Sequence, residues 1–163
     1  MEDTLIISNT TPIINFAEIG RIDLLESLFG TVVIPPAVEK EVRVKARPFP
    51  LASKIVEQGN FPIVAPADEL LVRALCATVH PGEAECIALA MERQGSLLLL
   101  DDLGAREMAK ANGCLFIGTV GVLIEANRSG LIGDLEPFFS DLRTKARFWL
   151  ADNPVDQVLR ELR

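Results

Sequence analysis

Short apolar runs alternate along this chain with longer stretches of helical periodicity, and that alternation restricts the fold more than any other feature. Leu5-Ile6-Ile7, Thr31 to Ile34, Leu97 to Leu100 and Leu115 to Ile117 read as strands. Between them lie helical stretches: one led by Pro12, one over Ile22 to Phe29, and one starting at Pro35-Pro36. Further helices are expected over Leu51 to Gln58, Asp68 to Thr78, Glu83 to Arg93 and Gly104 to Asn112, and another after Gly118-Thr119. Strands separated by helices pair in parallel, because the helix carries the chain back across the sheet. The fold class is therefore α/β with a mostly parallel central sheet. No repeat, low-complexity segment or linker divides residues 1–163, so a single domain is expected, with a helical extension over about 135–163. Phe138, Phe139, Leu142, Phe148 and Trp149 are the expected anchors of that extension, on the domain or on a second copy in a homodimer.

Charge narrows the partners. Lys and Arg number 16 against 23 Asp and Glu, a formal net charge of −7. Affinity for a nucleic-acid backbone comes mainly from clustered Lys and Arg, so this is not a generic polyanion binder. A divalent cation held by carboxylates would have to screen phosphates locally. Neither a signal peptide nor a membrane span is expected, since Met1-Glu2-Asp3 is acidic and no apolar run approaches the ~18 residues a span requires. Cys76, Cys86 and Cys114 are odd in number, lack C-x-x-C spacing and sit among apolar residues. They read as reduced core thiols of a cytoplasmic protein. His80 stands alone before Pro81 and fits a turn better than a nucleophilic triad. Gly118-Thr119-Val120-Gly121 lacks the spacing of a phosphate loop.

In α/β sheets, ligands gather outside the carboxyl ends of the strands. Ser8, Asn9, Thr10 and Thr11 follow the first strand, Glu39 and Glu41 lie beyond the second, and Asp101 and Asp102 follow the Leu97 to Leu100 run. Glu83 heads a helix that is apolar nearly all round, on one face with Cys86, Ile87 and Ala90. An acid there is costly unless paired or bound to a cation. Each acid also has a plain structural reading. Asp101-Asp102 can cap the next helix, Glu83 can answer a helix dipole, and Glu39 and Glu41 can face solvent. Together at one sheet edge they offer the oxygen donors that Mg²⁺ or Mn²⁺ takes. Arg43, Lys45 and Arg47, followed by Pro48 and Pro50, read as a basic mobile loop.

Four segments resemble the PIN-domain superfamily in order and spacing: Ser8-Asn9-Thr10-Thr11-Pro12, Ile34 to Glu41, Gly82 to Ala90, and Leu99-Leu100-Asp101-Asp102. The likeness continues through Ala105 to Ala109 and Gly118 to Leu123, covers about residues 5–130, and is nearest a short bacterial and archaeal branch similar to VapC-type toxins. It implies a three-layer α/β/α sandwich and a divalent-metal-dependent ribonuclease, the toxin of a toxin–antitoxin pair with a small antitoxin protein as partner. Position by position it assigns catalysis to Asn9, Glu41, Glu83, Asp101 and Asp102, with Glu41, Glu83 and Asp101 as metal ligands or water positioners and Asp102 supporting them. Thr11 lines the pocket, and Arg106, Arg43 and Lys45 meet the RNA. Arg106 has the alternative of a salt bridge to a pocket acid. Asn9 departs from the family's usual Asp: an amide oxygen can face a metal but brings no charge and takes no proton. Two other classes fit the same acids: a catalytically weak RNA- or protein-binding module, and an Mg²⁺-dependent α/β enzyme acting on a small phosphorylated molecule.

Overall fold

The computed structural model describes residues 4–161. Four strands, β1 (Ile6–Ser8), β2 (Val32–Val33), β3 (Leu97–Leu99) and β4 (Leu115–Ile117), form one sheet in the order β2-β1-β3-β4, and every pairing is parallel. Outside these strands, Ile63 makes one parallel bridge to Ile34 at the β2 edge. The helices are α1 (Thr10–Glu18), α2 (Asp23–Phe29), α3 (Pro36–Lys45), α4 (Pro50–Glu57), α5 (Glu69–Leu75), α6 (Pro81–Glu92), α7 (Leu103–Ala111), α8 (Thr119–Arg128), α9 (Glu136–Thr144) and α10 (Pro154–Glu161).

Alternation along each strand splits the core into two layers. Ile7, Val33 and Leu98 join one apolar cluster with residues of α3, α4, α6 and α7. Ile6, Val32 and Leu99 join the other, with residues of α2, α8 and α9. Helix α1 serves both, with Ile13 and Ala17 in the first cluster and Phe16 and Ile19 in the second. The result is the α/β/α sandwich. Both sheet faces are covered, which is why these strands, Ser8 at the end of β1 apart, are apolar rather than alternating with polar residues.

Three expectations need correction. The stretch from Arg43 to Pro50 is not a mobile loop: α3 runs through Lys45 and α4 begins at Pro50. Arg43 and Lys45 sit in the last turn of α3 and pair with Glu39 and Glu41 four residues back, which favours helix. Among the thiols, Cys86 is buried but Cys76 is exposed and Cys114 only partly covered. Cys76 is the residue that follows the short α5. The C-terminal region is two helices, α9 and α10, joined by an extended segment, and Trp149 in that segment is 75% exposed. Phe139 and Leu142 carry the anchoring instead, at 2% and 0% exposure. Among the described residues, no helix is long and apolar enough to cross a membrane.

Phe139 fills the second layer, so Phe139→Ala should cost about 3–5 kcal/mol. Trp149→Ala should stay within about 0.5 kcal/mol of the parent. Urea unfolding checks both: the first variant should show a lower midpoint at unchanged slope, the second an unchanged midpoint.

Candidate active site

The carboxyl ends of β1 and β3 lie side by side, because Ser8 pairs with Leu99 and the Asn9 N–H donates to the Leu99 carbonyl at 3.0 Å. Ser8 Oγ donates to the Asn9 carbonyl at 2.8 Å, and the buried Cys86 thiol donates to the Ser8 carbonyl at 3.6 Å. This turn is thus fixed by backbone and side-chain bonds together, and α1 starts immediately after it. Asn9 is 5% exposed, and its Oδ1 has no hydrogen-bond partner among the described residues; nor has the buried hydroxyl of Thr10. An unpaired buried carbonyl oxygen costs roughly 1–3 kcal/mol, so its orientation needs a reason.

That reason lies across Gly82. A β-carbon at Gly82 would stand 2.7 Å from Glu41 Oε2 and 3.5 Å from Asn9 Oδ1. The two oxygens therefore flank the first turn of α6, at a point where a side chain would press on the carboxylate of Glu41. Glu41 arrives from α3, which Val38 and Val42 bury against the core. Its second oxygen, Oε1, accepts from Lys45 Nζ at 2.7 Å. Glu83, one residue past Gly82, is 8% exposed. Burial first, and then the negative charges of Asp102 and Glu41, raise its pKa above the ordinary 4.5; His80, by its charge and its backbone N–H, works in the opposite direction. Asn9, Glu41, Glu83 and Asp102 thus form one oxygen-rich neighbourhood.

The two consecutive aspartates part company. Asp102 caps α7, its Oδ1 accepting from the Ala105 N–H at 2.9 Å, while its charge is felt by Glu83. Asp101 turns towards the β4 side. Its Oδ1 accepts from the Thr119 N–H at 2.8 Å and its Oδ2 from Thr119 Oγ1 at 2.6 Å, with Arg106 Nη2 at 3.8 Å. Asn15 Nδ2 donates to Thr119 Oγ1 at 3.1 Å, which leaves the hydroxyl proton for Asp101. Burial raises the Asp101 pKa, opposed by the Thr119 bonds and the Arg106 charge. Arg106 takes the salt-bridge alternative: it also donates from Nε to the Leu100 carbonyl at 2.8 Å and lies over the Phe116 ring. Gly118 makes room for this, since a β-carbon there would overlap Arg106 Nη2.

Glu41, Glu83 and Asp101 were expected to converge on one ion, and the geometry differs. Among the described residues, no three Asp, Glu, His or Cys side chains gather closely enough to hold a metal. Asp101 is engaged by Thr119 and Arg106, and Asp102 takes its place beside Glu83. Thr11 is half-buried, whereas the adjacent Thr10 carries the buried unpaired hydroxyl. Arg43 and Lys45 stay on the rim, more than half exposed and paired to Glu39 and Glu41. Sequence reasoning placed Gly118 and Thr119 at this edge, after the last strand, but gave Thr119 no partner, and it gave Gly82 and Asn15 no role. Gly82 had a signal, a glycine directly before a candidate acid at a helix start; the link between Asn15 and Thr119 spans 104 residues and had none.

A family model described as DUF3368, a PIN domain, matches residues 5–163. The chain belongs to the PIN-domain family. PIN domains have a nuclease-type fold and generally use divalent metals. No curated protein and no solved structure matches the chain significantly.

The raised Glu83 pKa has a consequence for stability. The folded protein keeps a proton on Glu83 at pH values where the unfolded chain has released it. Stability from this group is therefore full below the ordinary carboxylate range and is lost as pH rises through the folded value. Without added metal, Glu83→Gln should melt above the parent at pH 7, and the gap should close as the pH falls towards 4. Thermal melts across that range check it.

Proposed function

We propose that this PIN domain is a divalent-metal-dependent ribonuclease that hydrolyses RNA phosphodiester bonds. One observation carries the reading: the buried Asn9 Oδ1, without a partner, facing the same space as Glu41 Oε2 across Gly82, beside the raised carboxyl of Glu83. These are hard oxygen donors, one of them orphaned, and they suit Mg²⁺ or Mn²⁺. Such ions keep several waters and need only one or two carboxylates, so a three-carboxylate cage is not required. Glu41 and Glu83 would hold the ion, with the Asn9 amide oxygen as a neutral ligand and Asp102 in support.

A divalent cation bound there supplies positive charge to the phosphate oxygens and lowers the pKa of water. The chain's own groups do the rest. Burial and the charges of Asp102 and Glu41 raise the Glu83 carboxyl without a cation, and a cation held there would favour its charged, ligating form. Asp101, locked by Thr119 and Asn15, fixes the Asp101–Asp102 turn and so positions Asp102; it also holds the Arg106 guanidinium at the same edge. Asn9 orients but cannot accept a proton. Lys45, bonded to Glu41 Oε1, and Arg43 supply what positive field the rim has.

The wider setting is proposed on the same ground. The family resemblance supports a cytoplasmic, single-domain toxin of a toxin–antitoxin pair, acting as a homodimer and held by a small antitoxin protein. Asn9 and the incomplete gathering of acids favour a second reading, a catalytically weak RNA-binding module, and one experiment separates the two.

Single-turnover cleavage of a labelled RNA over a Mn²⁺ titration should show slow, metal-dependent hydrolysis that is lost in Glu83→Gln. Asn9→Asp should tighten Mn²⁺ and raise the rate by about tenfold or more, up to the ~10²–10⁴ a positioned proton acceptor contributes. Gly82→Ala tests the neighbourhood independently. Its new methyl meets the far end of a flexible side chain, so the fold should hold while Mn²⁺ affinity falls. Metal-independent RNA binding with no cleavage in the parent or in Asn9→Asp would establish the binding module instead.

A further inference from the structure

Glutamates of neighbouring helices bond to the starts of α3, α4 and α5, and one of these bonds bears on the candidate site. Helix α3 has no cap of its own. Pro35 stands at its N-cap and Pro36 in its first turn, and neither has a side chain that accepts a hydrogen bond. Its first N–H group is that of Ala37, which donates to Glu85 Oε2 of α6 at 2.8 Å, across 48 residues of sequence. Glu18 of α1 accepts from the Ala52 N–H of α4 at 3.0 Å. Glu92, at the far end of α6, accepts from the Ala67 and Asp68 N–H groups, each at 2.8 Å, where α5 begins. Of these three helix starts, only that of α3 leads to a residue of the acid cluster, Glu41.

We infer that Glu85 is a positioning residue: by holding the start of α3 on α6, it sets Glu41 Oε2 opposite Asn9 Oδ1 over Gly82. The inference rests on the ribonuclease reading for what those oxygens hold. It goes beyond that reading in giving the second glutamate of α6 a task apart from the metal.

The contact between the two helices is a short ladder. Ala37 meets Glu85, and one turn earlier on α6 a β-carbon at Gly82 would stand 3.3 Å from Val38 Cγ2 and 2.7 Å from Glu41 Oε2. The start of α3 and the place of Glu41 are thus both referred to residues 82–85 of α6. The apolar residues here, Val38 and Val42 of α3 with Ala84 and Ile87 of α6, share one cluster. Apolar burial is not directional, so it fixes the faces of the two helices better than their axial offset. A hydrogen bond is directional, and a carboxylate suits the positive end of a helix. One residue of slip along α3 is about 1.5 Å, far beyond the ~0.2 Å tolerance of a metal–oxygen distance. The exit of β1 is tied to the same turn, since Cys86, next to Glu85, donates to the Ser8 carbonyl at 3.6 Å. Adjacent residues of α6 therefore hold Asn9 from one side and Glu41 from the other.

The test of Glu85 needs no RNA. Mn²⁺ alone is titrated by calorimetry into the parent and into Glu85→Ala, Glu85→Gln and Glu92→Ala. Glu92 is the matched control, because it makes the same kind of bond from the same helix to a helix start without a site residue. Both alanine variants should lose stability in urea. Only Glu85→Ala should raise the Mn²⁺ Kd, by about tenfold, the low end of the ~10–100-fold that groups supporting a metal ligand contribute. Glu85→Gln keeps an acceptor oxygen and should stay near the parent. A metal-free cycle reads the same contact. The methyl of Gly82→Ala presses on Glu41 only while α3 is held, so its cost in urea midpoint should be smaller in Glu85→Ala than in the parent, and unchanged in Glu92→Ala. Equal costs in all three backgrounds, or an unchanged Mn²⁺ Kd in Glu85→Ala, overturn the inference. So does a Glu85→Gln variant that weakens Mn²⁺ as much as Glu85→Ala, because Glu85 would then act by its charge, as a ligand. The two readings fail separately. A parent that binds no Mn²⁺ and cleaves no RNA removes the ribonuclease, and the metal-free cycle then decides on Glu85 alone. Metal-dependent cleavage in the parent, with neither Kd nor cycle responding to Glu85→Ala, removes only the positioning.

Discussion

The whole functional edge depends on the parallel pairing of β1 with β3. Because Ser8 sits opposite Leu99, the chain leaves both strands at the same height, and Asn9 and the Asp101–Asp102 turn emerge as neighbours. Strand β3 is wholly apolar and β1 has only Ser8 at its end, so the polar side chains of both strands' exits gather at the edge. The helices complete the arrangement from the side. Helix α6 brings the first turn carrying Gly82 and Glu83, and α3 brings Glu41. Both are held by apolar faces in the same cluster as Ile7 and Leu98. A shift of β1 by one residue would exchange Ile6 and Ile7 between the two layers and turn Asn9 away from Gly82. The core and the site are specified by one register.

Consecutive residues after a strand diverge, and the Asp101–Asp102 pair shows what divergence does to chemistry. Both aspartates have the same ordinary acidity, yet one is absorbed by Thr119, Arg106 and burial while the other stays in the field of Glu83. The network through Asn15, Thr119 and Asp101 joins α1, α8 and the β3–α7 turn. It has a direction, because the amide can only donate to the hydroxyl, which then donates to the carboxylate.

The order of strands and helices was legible because period and length carry it: short, wholly apolar runs have no use except as strands buried on both faces. The acids at strand ends were legible for the same reason, since topology alone delivers them to one edge. What could not be read was direction within the edge. Nothing local distinguishes Asp101 from Asp102, or Thr10 from Thr11; the choice is made by Thr119 and Arg106, which approach from other parts of the chain. The basic segment misled for a different reason. Pro48 and Pro50 do interrupt helix, but the Glu39–Arg43 and Glu41–Lys45 spacing carries α3 through Lys45 before they act. Trp149 misled because size alone argues for burial, while Phe139 and Leu142 had already filled the second layer.

Asn9 sits where repulsion and binding pull in opposite directions. Three carboxylates, Glu41, Glu83 and Asp102, already share this edge closely enough to raise one of them, and a fourth at position 9 would be surrounded by like charge within a buried turn. An amide avoids that cost: its oxygen still faces the space over Gly82, but it needs no counter-charge when no cation is present. The same neutrality weakens the hold on a cation and removes a proton acceptor from the place nearest β1. Lys45 bears on the same balance from the other side, since its ammonium occupies one oxygen of Glu41 and a bound cation would have to share that carboxylate with it. A chain of net charge −7 that keeps an amide at its central turn and a lysine on its outermost acid has lowered the electrostatic strain of the empty edge. On the proposed reading, the same exchange that eases repulsion among these acids lowers affinity for a cation, because an amide oxygen brings no charge to it.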